Sequence, residues 1–135
     1  MIQRRQPAAN VNVERTALRR RIRDFYRRFN REDWSGCFAR LDPRLRQAGK
    51  VEESQYRDSL ATFRQAYGEV EIWHTRVNLY LDAKNNKHDA RPFAYVYVFW
   101  QDAHQAFHVF RERWVLDDGK WYTRVIGLVV HQQAG

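Results

Sequence analysis

The chain has 135 residues, a formal net charge of +8, 44% apolar residues and 15% aromatic ones. That length suits one domain with its own core and is too short for two, and the aromatic content argues against disorder away from the ends. No apolar run approaches the roughly 18 residues of a membrane span, and a single cysteine, Cys37, excludes an internal disulfide.

Residues 1–9 have no periodicity and are expected to form a flexible tail before a single domain at residues 10–131. The opening MIQRRQPAANVNVERT lacks the apolar centre of a secretory signal, so a cytoplasmic location is expected. Asn10 or Asn12 can cap a first helix running to about Phe29. Leu18, Ile22, Phe25, Tyr26 and Phe29 share one of its faces.

Asp33 starts a second helix with Trp34, Cys37, Phe38 and Leu41 on one side, and Asp42-Pro43 stops it. Residues 44–51, RLRQAGKV, suit a loop or a small strand pair. A third helix runs from about Glu53 to Tyr67, with Tyr56, Leu60, Phe63 and Tyr67 aligned and Gly68 as its stop.

From Glu69 the period changes to two. Trp73, Thr75, Val77, Leu79 and Leu81 alternate with more polar residues, and AKNNKHDAR at 83–91 is a polar loop. Three β-rich runs follow between Pro92 and Val130, broken at Gln101–Gln105 and at Asp117-Asp118-Gly119, where Gly119 suits a bulged turn. The sum is an α+β domain: three N-terminal helices packed on a four-stranded antiparallel sheet.

Pairing Leu116 with Lys120, Gln101 with Gln105 and Val77 with Tyr97 through these turns predicts a helix-covered face of Trp73, Thr75, Val77, Leu79, Leu81, Phe93, Tyr95, Tyr97, Phe99, Phe107, Val109, Val115, Trp121, Val125 and Val129, together with Arg111, Arg113 and Thr123. The opposite face then carries Ile72, His74, Arg76, Asn78, Tyr80, Val96, Val98, Trp100, His108, Phe110, Glu112, Trp114, Tyr122, Arg124, Ile126 and Leu128. So large an apolar area needs a cover, so a homodimer through this outer sheet face is expected, with Glu112–Arg124 as a cross-strand pair inside it.

The helix FYRRFNREDWSGCFARLDP, the helix ending at Gly68 and the hairpin ERWVLDDGKWYTRV together resemble the nuclear-transport-factor-2-like superfamily. That group includes ketosteroid isomerase, scytalone dehydratase and the SnoaL-like cyclases. The resemblance covers about residues 13–130. It implies a cystatin-like cone: helices packed into a strongly bent sheet, a pocket at the open end and frequent dimerisation through the sheet. It brings no reaction with it. The carboxylate base expected after the second helix is absent from RLRQAGKV, and the Tyr, Asp and paired-His pattern of the dehydratase is not matched.

Arg111 and Arg113 on an apolar face require a partner or an opening to water. They suggest a site for an apolar ligand bearing an acidic group, aided by the hydroxyls of Tyr95, Tyr97 and Thr123. Tyr26, Trp34 and Tyr56 would line its helical wall. A structural ion pair with helix acids such as Asp24, Glu53 or Asp58, or a solvent-facing strand end, for the arginines and plain core packing for the aromatics are the competing readings. The five histidines have no metal-ligand spacing, and no nucleophile elbow or phosphate loop occurs, so neither metal nor cofactor is expected.

Residues 1–50 hold 14 basic and 5 acidic side chains, whereas residues 51–135 hold 10 and 11. The basic excess therefore belongs to the first helices. The leading functional expectation is a homodimeric small-molecule-binding domain. An isomerase, dehydratase or cyclase using acid–base chemistry is the alternative. An interaction module built on Arg19, Arg20, Arg23, Arg27 and Arg31 ranks last, because no aromatic platform accompanies them for nucleic acid.

Overall fold

The structure is a computed structural model, and it describes residues 7–82 and 90–124. Four helices precede four strands: α1 Pro7–Asn30, α2 Trp34–Phe38, α3 Pro43–Gln47, α4 Glu53–Tyr67, β1 Glu71–Tyr80, β2 Phe93–Gln101, β3 Phe107–Asp117 and β4 Lys120–Thr123. The strands form one antiparallel sheet in the order β1-β2-β3-β4.

Helix α1 begins three residues before the expected cap, with Pro7 first, a position where its fixed φ and missing N–H cost nothing. Residues 7–9 are thus helical rather than tail. Residues 44–47 fall within α3, not in a loop or strand pair, because Asp42 accepts a hydrogen bond from the Arg44 amide (3.1 Å) and Pro43 opens the turn. Asp33 caps α2 through the Gly36 amide (3.1 Å). Gly68 ends α4 at φ +78°, where a Cβ would lie 2.4 Å from that of Ala103, so both conformation and space require glycine. Val125, Ile126, Leu128 and Val129, expected as strand, lie outside the described residues.

The expected strand registers need correction. Asp117 pairs with Lys120, so the last turn holds two residues, Asp118 and Gly119, both at positive φ. This is the primed Asp-Gly geometry, not a bulged turn. Leu116 therefore faces Trp121 rather than Lys120. At the other side of the sheet Val77 faces Val96 rather than Tyr97. Each is a slip of one residue, and each inverts β2 and β3 relative to its neighbour. Gln101 pairs with Phe107, a slip of two that leaves β2 and β3 correctly matched to each other.

The helices thus cover Val96, Val98, Trp100, Phe110 and Trp114, all fully buried, along with Thr75, Val77, Trp121 and Thr123. Arg111, Arg113, Tyr95 and Tyr97 lie on the other face. The physical reason is the content of the two sets. Burying each large apolar side chain is worth about 1.5–3 kcal/mol, whereas the alternative face would bury two guanidinium groups.

An ionic clamp closes one end of the sheet. Arg91 donates to both oxygens of the fully buried Asp42 (2.7 and 2.8 Å) and to Asp117 (2.8 Å), and Arg124 reaches Asp42 at 3.2 Å. The Asp42 amide also donates to the Thr123 carbonyl (2.8 Å). Arg124 is therefore a partner of Asp42, not of Glu112. Burial alone would raise the Asp42 pKa, but the Arg91 guanidinium, the Arg44 amide and the Arg124 charge together hold it below the usual value.

Breaking a buried pair by removing one partner leaves the other uncompensated. Asp42→Ala is therefore expected to cost about 3–5 kcal/mol in urea unfolding at neutral pH. Because the folded pKa is depressed, this contribution is present above the ordinary Asp value of about 3.9 and fades as pH falls through the folded value. The gap between wild type and Asp42→Ala should accordingly narrow in acid.

Candidate functional site

The eight residues read as site candidates fall into two groups on opposite sides of the sheet. Tyr26, Tyr56 and Thr123 are buried on the helix side, and Trp34 is half-buried there. Tyr26 stacks on Phe110 (5.8 Å), Trp34 packs edge-on against Phe29 (5.8 Å) and Tyr56 lies against Phe38 (5.8 Å). Thr123 is tied to the joint after α2, its amide donating to the Arg40 carbonyl (2.9 Å).

Tyr95, Tyr97, Arg111 and Arg113 come together on the outer face. They line a largely apolar hollow of 290 Å³, floored by the backbone strands at Val96 and Glu112. Arg111 is exposed. Arg113 lies over the Phe93 ring, its guanidinium carbon 4.6 Å from the centroid, and its buried Nε has no hydrogen-bond partner among the described residues. A guanidinium on an aromatic face retains its in-plane donors for an oxyanion. Around the hollow the same face exposes Trp73 (60%) and Phe107 (65%), which pack on each other, and also Tyr80 and Val109.

On the helix side the sequence reading missed a buried acid. Glu112, 6% exposed, projects from β3 into the core. The Tyr26 hydroxyl donates to its Oε2, and Trp114 Nε1 donates to its Oε1 at 2.8 Å. Burial pushes the Glu112 pKa up, and the two hydrogen bonds offset only part of that effect. Burial and the neighbouring Glu112 also hold the Tyr26 phenol well above its usual value. The signal was present in Phe110-x-Glu112-x-Trp114: the acid alternates in step with the most apolar residues of the strand.

A second polar pair closes the β2–β3 turn. Asp102 Oδ2 lies 2.7 Å from His108 Nε2, while Asp102 Oδ1 accepts from the His104 and Ala106 amides (2.7 and 3.0 Å). Burial opposes the Asp102 charge, but His108 and these two amides hold the pKa below its usual value. His108 also stacks on Trp100 at 4.5 Å. Asp102 is thereby committed to the turn. Burial pushes the Cys37 thiol up to about 12, so it offers no thiolate near neutral pH. Among the described residues no group of three or more His, Cys, Asp or Glu side chains is placed to hold a metal ion, and no helix is long and apolar enough to cross a membrane.

No family model, no curated protein and no solved structure matches this chain.

Glu112→Gln preserves the shape and can still bond both Tyr26 and Trp114. The folded protein holds the Glu112 proton more tightly than the unfolded chain, so folding of the wild type weakens as pH rises from the ordinary Glu value of about 4.3 toward the raised one. The variant lacks this loss. Its melting temperature should therefore gain on that of the wild type between acid and neutral pH, as followed by circular dichroism.

Proposed function

We propose that the protein is a homodimeric small-molecule-binding domain of the nuclear-transport-factor-2-like type, in which the outer face of the sheet is the working surface. The observation that carries this reading is the gathering of Tyr95, Tyr97, Arg111 and Arg113 around one hollow on a face rich in exposed aromatic side chains. The hollow's walls suit an apolar body. Arg111 and Arg113 suit one acidic group, held by charge-assisted hydrogen bonds. A second copy laid on Trp73, Phe107 and Val109 would remove that apolar area from water and roof the hollow. The α+β order of helices and antiparallel sheet is compatible with the cone.

Sedimentation should give twice the chain mass for the wild type and the chain mass for a Trp73→Asp/Val109→Asp variant with unchanged circular dichroism. Decanoate serves as the ligand probe. Arg111→Ala and Arg113→Ala should each weaken it about tenfold, the scale of one hydrogen bond to a charged group. A monomeric wild type removes the dimer, and decanoate binding by both variants as tight as that of the wild type removes the anion site.

A second reading is favoured by one observation, the buried Glu112 hydrogen-bonded to Tyr26. A carboxylic acid with a raised pKa beside a phenol is suited to proton transfer in an isomerase, dehydratase or cyclase. In a screen of enolisable ketones and β-hydroxy carbonyl compounds, Glu112→Gln should lower any turnover by about 10²-fold or more. Turnover untouched by the substitution excludes Glu112 as the acid or base.

A further inference from the structure

A groove of 470 Å³ runs between α1 and the start of β1, separate from the outer sheet face. Arg23, Arg27 and Arg31 line its helical side. The helix sets them four residues apart, so they stand about 6 Å from one another along about 12 Å of groove. Arg31 lies just past the last residue of α1, and its amide still bonds back to the Arg27 carbonyl (3.2 Å), so the row is continuous.

All three are exposed, and none makes an ion pair or side-chain hydrogen bond with another described residue. Three other arginines of α1 are engaged within the chain. Arg19 donates to Thr75, Arg21 to the Trp121 carbonyl and Arg28 to Asp24 and Asp33. Like charges four apart on a helix repel. The helix C-terminus offers about half an elementary negative charge, too little to compensate three guanidinium groups.

The opposite wall is rigid and partly apolar. Val70 and Ile72 line it, and Asn30 fixes it to α1 by donating to the Val70 carbonyl (2.9 Å) and accepting from the Val70 amide (2.8 Å). Tyr26 contributes its ring at depth. Glu69 is the one acid on the lining, and it lies 3.8 Å from Arg64. Beyond it the next hollow is lined by Glu69, Glu71 and Arg64, with Asp102 buried against His108, so the arginine row gives way to two exposed acids facing one cation.

We propose that the groove between α1 and β1 binds a phosphorylated small molecule, with Arg23, Arg27 and Arg31 holding the phosphate oxygens and Val70 and Ile72 receiving the organic part. Three cations along one wall match a ligand with two or three negative charges, which a phosphate or diphosphate ester supplies and a monocarboxylate does not. Guanidinium forks hold phosphate oxygens in pairs. The volume lies in the range of small-molecule sites. The exposed acids Glu69 and Glu71 at the end of the row interrupt the path of a long polyanion, which favours a compact ligand over a nucleic-acid backbone.

The test is calorimetric titration of the full chain at low ionic strength with pyrophosphate, inorganic phosphate, benzoate and a mixed-sequence single-stranded oligonucleotide. Pyrophosphate is expected to bind saturably at one site per chain, tighter than phosphate and much tighter than benzoate. Arg27→Ala should weaken it about tenfold or more, and Arg27→Lys should restore part of the loss. Arg20→Ala should leave it unchanged, being off the groove. All three substitutions are at exposed positions, and circular dichroism verifies their folding. The proposal is overturned if pyrophosphate gives no saturable heat, or if Arg20→Ala is as damaging as Arg27→Ala, which indicates diffuse charge. It is also overturned if the oligonucleotide binds more tightly than pyrophosphate with a steep salt dependence, which assigns the row to nucleic acid.

Discussion

Val96, Val98 and Trp100 on β2 and Phe110 and Trp114 on β3 lie beneath α1 and α4, and the rest of the molecule is arranged by that burial. Phe63 packs on Trp100 and Phe110 at 5.9 and 5.7 Å, and Phe25 packs on Trp114 at 6.3 Å. These contacts tie the helices to the two central strands. Since side chains alternate along a strand, the choice also sends Tyr95, Tyr97, Arg111 and Arg113 to the opposite side. No local preference of those four residues is needed to explain where they are. The outer face is what remains once the better apolar set has been taken inside.

The same choice places Glu112 in the core. An uncompensated carboxylate there would be costly, and the fold limits the cost in two ways. Tyr26 and Trp114 supply donors to its two oxygens, and the raised pKa favours the neutral form. Burying one acid that can take up a proton is cheaper than burying two arginines, which cannot lose theirs. That difference in titration chemistry decides which face the helices cover. Glu112 also links the core to the α1–β1 groove, because its partner Tyr26 lines that groove.

Helices were the more legible part of the sequence. The stripes Leu18–Ile22–Phe25–Tyr26–Phe29 and Tyr56–Leu60–Phe63 are buried as their spacing implies, since a helical face depends on one segment alone. Strand faces depend on two segments at once, and there a single residue decides. Asp117-Asp118-Gly119-Lys120 can be read as a bulged or a two-residue turn, and the difference lies in whether Asp118 also adopts positive φ, as it does here at 50°. Asparagine and aspartate tolerate that conformation better than most residues, so the two-residue reading was available. The β1–β2 register was not so marked, because its connecting loop offers no comparable turn signal. The four outer candidates were correctly grouped, since β2 and β3 kept their mutual parity, but they were assigned to the wrong side of the sheet.

Charge shows the same distinction between composition and placement. The basic excess of the first fifty residues reads as one patch in the sequence, yet its arginines do different things. Arg40 and Arg28 share Asp24, with Arg40 at 2.7 Å. Arg21 holds β4 through the Trp121 carbonyl and lies over the Tyr122 ring at 5.1 Å. Trp121 in turn donates to Glu14 (2.8 Å), so α1 is fastened to β4 at two points. Arg15 and Arg20 have no partner among the described residues, but it is Arg23 and Arg27, with Arg31 just beyond the helix, that are brought together along the groove. Arginines that serve the fold have acids, carbonyls or rings facing them, because a desolvated guanidinium needs acceptors. The three along the α1–β1 groove have none among the described residues, and the row is therefore better explained by what it can attract than by what it holds in place.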